Sequence, residues 1–134
     1  MSGLILKLSS RERVLINGAV VENWDKRARL SIVSPNAHIL RLRDAMHPND
    51  ANTPVGRICY TCQLLVVGDV DEQIERMNVL HGVSQLSSIF SDQESRNILV
   101  AVDGLIRHGN YYKALKKLRY LLPLESVLLQ SSRL

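Results

Sequence analysis

Apolar and polar residues alternate along the first third of the chain, and the period changes near residue 54. Leu4, Leu6 and Leu8 fall on one side of an extended segment, with Ile5 and Lys7 on the other. Val14-Leu15-Ile16 and Ala19-Val20-Val21 flank Asn17-Gly18, a pair suited to the two positive φ angles of a type I′ hairpin. A second reversal is expected around Asn23 to Lys26, a further strand over 28–33, and another over 38–43 after Ser34-Pro35-Asn36. In these last strands Leu30 and Ile32 oppose Arg29 and Ser31, and Leu40 and Leu42 oppose Arg41 and Arg43. The simplest solution is an antiparallel sheet with one apolar and one basic face.

Residues 44–53 have no hydrophobic period and read as a connector. Thr53-Pro54 supplies an N-cap and a first-turn proline. Val55, Ile58, Cys59, Cys62, Leu65 and Val66 then form one helical stripe that Gly68 can end. A second helix is expected from Asp69 or Asp71 to about Phe90, with Gly82 admitting a close neighbour. A third opens at the capping-box pattern Ser91-Asp92-Gln93-Glu94 and stops at Gly109. Asn110 is expected to cap a fourth, running from Tyr111 to Leu122 and ended by Pro123, with the apolar Val127-Leu128-Leu129 docking beyond it. The predicted fold class is α+β: a small antiparallel β module over 1–43, the connector over 44–53, and a bundle of about four helices over 54–134.

Composition fits this picture, since nearly half the residues are apolar and aromatics are few, which leaves the core to Leu, Ile and Val. Leu64 to Val67 is far too short an apolar run to span a bilayer, and no leader pattern opens the chain, so a cytoplasmic protein without membrane contact is expected. Cys59 and Cys62 form one C-x-x-C, but both lie on the apolar stripe of the first helix, so they read as buried thiols. Zinc would need two further ligands, and His38, His47, His81 and His108 are scattered, so no metal or other cofactor is expected. There is no phosphate-binding glycine loop, nucleophile elbow or Ser/His/Asp set, and the acids at Asp69, Asp71 and Glu72 suit a helix start. The chain reads as a non-enzyme.

Charge sharpens the reading. Of the net +4, residues 1–43 hold eight basic and three acidic side chains, whereas 44–134 hold nine basic and ten acidic. So local an excess points to a polyanionic partner. Arg29, Arg41 and Arg43, then Lys7 and Arg27, are the candidate RNA contacts, because cations on a rigid sheet neutralise phosphates and stack on unpaired bases. A solvated sheet face is the competing interpretation. Trp24, in a predicted turn, reads first as closing the hairpin onto the sheet and second as a base-stacking platform. Lys113 and Lys117, beside Lys116, are secondary candidates on a face that solvent alone would explain. Exposed strand edges suggest a homo-oligomer.

The sequence also resembles the FlbT family of flagellar biosynthesis regulators. The matching segments are Leu6-Lys7-Leu8 with Glu12, Ile16-Asn17-Gly18-Ala19-Val20, Thr53-Pro54-Val55 followed by Tyr60 and Gln63, and Ala114-Leu115-Lys116-Lys117-Leu118-Arg119. The resemblance implies a cytoplasmic bacterial regulator that binds the 5′ untranslated region of flagellin mRNA and is linked to a small partner, FlaF. It leaves open whether the effect is repression or activation. A protein-binding adaptor or chaperone-like helper acting on FlaF or flagellin, with no direct RNA contact, is the alternative. In the first third only, Leu4-Ile5-Leu6 followed by Arg29-Leu30-Ser31-Ile32 and, through Pro35, Leu42-Arg43-Asp44 also resembles the strand order of the CsrA family, and that likeness implies RNA-contacting positions at Leu4 and Arg43.

Overall fold

The alternating segments do form strands, but in two separate sheets. In the computed structural model, which describes residues 4–131, β1 (Leu4–Leu8) pairs with β4 (Ala28–Ile32) as a two-stranded ribbon. The other sheet has the order β3-β2-β5, from Arg13–Ile16 (β2), Ala19–Glu22 (β3) and Ile39–Arg41 (β5). All pairings are antiparallel. The opening residues in which a leader was sought begin before the described residues, as the end of the expected tail lies after them.

Register explains the faces. On the ribbon, Leu6 opposes Leu30 and Leu4 opposes Ile32, while Lys7 opposes Arg29 on the other side. Leu6, Leu8, Val14 and Ile39 form one buried cluster, flanked by Ile16, Leu30, Ile32 and Ala37, so the inner faces of both sheets share a core. Asn17 (φ 49°) and Gly18 (φ 86°) make the expected turn. Asn17 also clamps the start of β5: its Oδ1 accepts from the His38 amide at 2.9 Å, and its own amide donates to the His38 carbonyl at 2.8 Å.

Strand β5 departs from expectation in two ways. It ends at Arg41, and Leu42–Asp44 turns into a single 3-10 turn. Its phase is also opposite, because Ile39 and Leu40 are both buried and Arg41 sits across from Val14, on the core-facing side. Arg41 tolerates that position because Glu12, two residues before Val14, meets it there. A basic outer face formed by Arg41 and Arg43 is therefore absent.

The described chain divides into two compact units: the stretch up to Ala45 with Val66–Gly68, and Met46–Leu65 with the stretch from Asp69 onward. The helical unit contains α1 (Pro54–Val67, up to Leu65), α2 (Glu72–Leu86), α3 (Gln93–Arg107), α4 (Tyr111–Arg119) and α5 (Leu121–Ser131). Thr53 Oγ1 accepts from the Gly56 amide at 3.0 Å, and Asp71 and Asp92 cap α2 and α3 through the amides of Ile74 and Ser95. The α3 cap is thus Asp92, one residue beyond the start of the capping-box pattern, and α2 ends four residues short of Phe90. Asn110 precedes α4 without a side-chain cap bond. Pro123 does not end a long helix but stands in the first turn of a fifth, where its missing amide costs nothing.

Most positions of the helical apolar stripes named from the sequence are buried, including Val55, Cys59, Cys62 and Leu65 on α1 and Ala114, Leu115 and Leu118 on α4, while Ile58 is half-buried. Gly82 lets α2 approach α1 closely: a Cβ there would stand 2.7 Å from Ile58 Cγ1. Gln63 ties the connector to α1 in both directions, its Oε1 accepting from the Met46 amide at 2.7 Å and its Nε2 donating to the Met46 carbonyl at 3.0 Å. Among the described residues no helix is long and apolar enough to cross a membrane.

Candidate nucleic-acid interface

The cross-strand pair Lys7 and Arg29 occupies the polar side of the β1–β4 ribbon. Arg27 stands just before β4, at the end of the ribbon where Leu8 opposes Ala28. Together with Leu8, Ser9 and Ala28 these three cations line an open cleft of about 560 Å³ that has no acidic residue in its wall. All three are exposed, and among the described residues none of them is in an ion pair. Three like charges on one rim without a counter-charge raise the local positive potential, which can attract an anion.

Arg41 and Arg43 belong to a different cluster. Glu12 is buried and accepts from Arg41 Nη1 at 2.8 Å and from the Ser9 amide at 3.0 Å, with Arg43 Nε 3.5 Å away. The amide of Ser9 holds the Glu12 carboxyl below its usual range; burial opposes this, and Arg41 and Arg43 assist it. The Arg41 side chain is only 12% exposed, whereas that of Arg43 is 59% exposed. Arg41 is thus committed to the fold, and Arg43 is half-committed at its margin. These two lie about thirty residues from Glu12 in the sequence, whose local pattern gives no sign of the pairing.

The loop between β3 and β4 frames the cleft. Asn23 Nδ2 donates to the carbonyls of Ser9 at 2.7 Å and Lys26 at 2.8 Å, and the Asn23 amide donates to the Glu12 carbonyl. Trp24, next along this pinned loop, does not close onto the sheet as expected. The residue is 71% exposed, and the Arg11 guanidinium lies 5.7 Å from the ring centroid. Arg11 is also 4.0 Å from Glu22, which Arg13 holds at 3.0 Å.

The remaining candidates lie elsewhere. Leu4 is 45% exposed and lies at the other end of β1 from the cleft. Lys113 and Lys117 are exposed on α4, in the helical unit. Among the described residues no group of three His, Cys, Asp or Glu could hold a metal ion. Cys59 and Cys62 are free and buried, and burial pushes the Cys59 thiol up to about 12 and raises that of Cys62 as well.

The sequence of residues 4–129 matches the model of a family described as "Flagellar protein FlbT". A "Probable flagellum biosynthesis repressor protein FlbT 1" of Bradyrhizobium diazoefficiens is 33% identical over 125 residues, covering 93% of this chain and 84% of that protein. Proteins named "Probable flagellum biosynthesis repressor protein FlbT" are 29% identical in Allorhizobium ampelinum, over 99% of this chain and 88% of theirs, and 27% identical in Chelativorans sp., over 96% and 87%. No solved structure matches.

Proposed function

Because this chain belongs to the FlbT family of flagellar proteins, we propose that it regulates flagellar synthesis from the cytoplasm, post-transcriptionally and without catalysis. It does so by binding the 5′ untranslated region of flagellin mRNA. The names of its relatives favour repression as the sign of the effect. The single observation that carries RNA binding is the acid-free cleft bearing Lys7, Arg27 and Arg29. Its three cations supply phosphate contacts, the sequence-independent part of affinity for a nucleic acid. Arg43 adds a fourth contact from its exposed side, and Arg41 acts by positioning, through Glu12.

The test is fluorescence anisotropy with a labelled flagellin leader RNA. Replacing Lys7, Arg27 and Arg29 together by Ala is expected to weaken binding by at least about tenfold at moderate salt, whereas Lys113→Ala with Lys117→Ala leaves it within about twofold. Undiminished affinity in the triple variant would remove the cleft as the interface.

A specific observation also favours a protein partner for the helical unit. Ile74 and Met77 on α2 are 57% and 70% exposed, and Val127, Leu128 and Leu129 on α5 are exposed as well. FlaF and flagellin are the proposed occupants, and copurification after nuclease treatment tests them. Self-association is proposed through the edge strand β3, whose four residues are all exposed and include neither Lys nor Pro.

A further inference from the structure

We propose that Trp24 is a stacking platform for an unpaired base, so that the strand module selects single-stranded over duplex RNA; this rests on the RNA reading of the adjoining cleft. Three observations carry it. First, Trp24 is 71% exposed although it is the only tryptophan in a chain with few aromatics, so packing does not explain its position. Second, it is held in place rather than loose: Asn23 beside it bonds the carbonyls of Ser9 and Lys26, and its amide bonds the carbonyl of Glu12. Third, Arg11 lies 5.7 Å from the ring centroid, and Arg11 itself is steadied by Glu22 at 4.0 Å.

Ser9 connects the two features. It lines the cation cleft, and its carbonyl is the anchor for the loop that carries Trp24. Arg27, three residues after Trp24, lines the same cleft. A phosphate backbone lying along Lys7, Arg27 and Arg29 would therefore run beside an exposed indole that Arg11 covers from one side. A splayed base can lie on its other side, whereas a base inside a duplex cannot. Such stacking tolerates any base, so it adds affinity for unpaired RNA without choosing a sequence. Neither Trp24 nor Asp25 lines the cleft itself, so the indole adjoins the anion path through the Asn23–Ser9 anchor and is not part of its wall.

The lone tryptophan makes the idea directly measurable. The full chain is titrated with an unstructured oligoribonucleotide and with the same strand annealed to its complement. Tryptophan emission is followed together with the anisotropy of labelled RNA. The single strand is expected to quench the emission with the same midpoint as the anisotropy change, and the duplex to leave the emission unchanged. Trp24→Ala should weaken single-strand binding by roughly tenfold and leave duplex binding unaltered, while Trp24→Phe keeps most of the affinity. If the single strand binds without quenching and Trp24→Ala binds it as tightly as the unmodified protein, stacking is overturned and the cleft stands. If neither RNA binds, both readings fall. If poly-glutamate binds as tightly as RNA and without quenching, the surface is a dock for acidic protein segments, and the stacking proposal fails.

Discussion

Glu12 shows how a residue that looks like background can govern the electrostatics around it. It is one of three acids among the first 43 residues, and it neutralises Arg41 and holds Arg43, in the turn after β5, at 3.5 Å. The free positive charge is thereby left on the ribbon rather than on the three-stranded sheet. Glu12→Gln should destabilise the protein by about 2 kcal/mol, because Arg41 then keeps a partly desolvated charge without its counter-charge. A shift of the urea midpoint at unchanged slope would measure this. The carboxyl is held below its unfolded value in the native state, so its stabilising effect is complete above the unfolded value. It fades as pH falls through the lower, folded one. The unmodified protein should therefore lose stability on acidification from about pH 4.3 downward, and the gap to Glu12→Gln should close there. A gap that stayed constant to low pH would mean that Glu12 acts through shape and not charge.

At the level of elements, short-range signals were legible and long-range ones were not. Asn17-Gly18, Thr53-Pro54, Gly68 and Gly109 mark turns and helix ends because each needs a particular φ or a side-chain cap, which the chain itself specifies. Lys7 and Arg29 were legible as outward-facing because strand alternation alone fixes their side. The phase of β5 was not, since Ile39 and Leu40 are both apolar and both buried; only the distant Glu12 decides where Arg41 points. Trp24 departs from expectation for a related reason: local pattern shows a turn but not whether a hydrophobic neighbour waits beneath it. Glu125 gave no signal at all. It is buried on α5, and its Oε2 accepts from the Val55 amide at 2.8 Å, which satisfies an open amide at the start of α1 seventy residues away.

The cysteines were legible, because helical period placed both on the buried stripe. Their chemistry follows from the same element. Each thiol is raised by desolvation, so almost no thiolate exists at pH 8 and neither should react with Ellman's reagent in the folded protein. Both should react at once in concentrated urea. Rapid native labelling would show that α1 opens far more readily than its packing implies.

For the whole molecule, the net +4 is a poor guide to nucleic-acid affinity, since most of the seventeen basic residues face acids or solvent in the wrong place to act together. What matters is how many cations one strand can touch at once. For single-stranded RNA the logarithm of affinity falls with the logarithm of salt concentration by about 0.7 per phosphate contact. The three cleft residues predict a slope near −2 (about 0.7 each), and a contribution from Arg43 steepens it towards about −3. Had all five sequence candidates formed one face, the slope would be near −3.5. Anisotropy titrations from about 50 to 300 mM salt separate these cases, and Arg43→Ala returns the slope to the three-contact value if that residue takes part. Arg41→Ala should leave the slope unchanged while lowering stability, because its charge is already spent on Glu12. A slope that fell by a full contact in Arg41→Ala would place Arg41 on the RNA and break the division of labour between the two sheets.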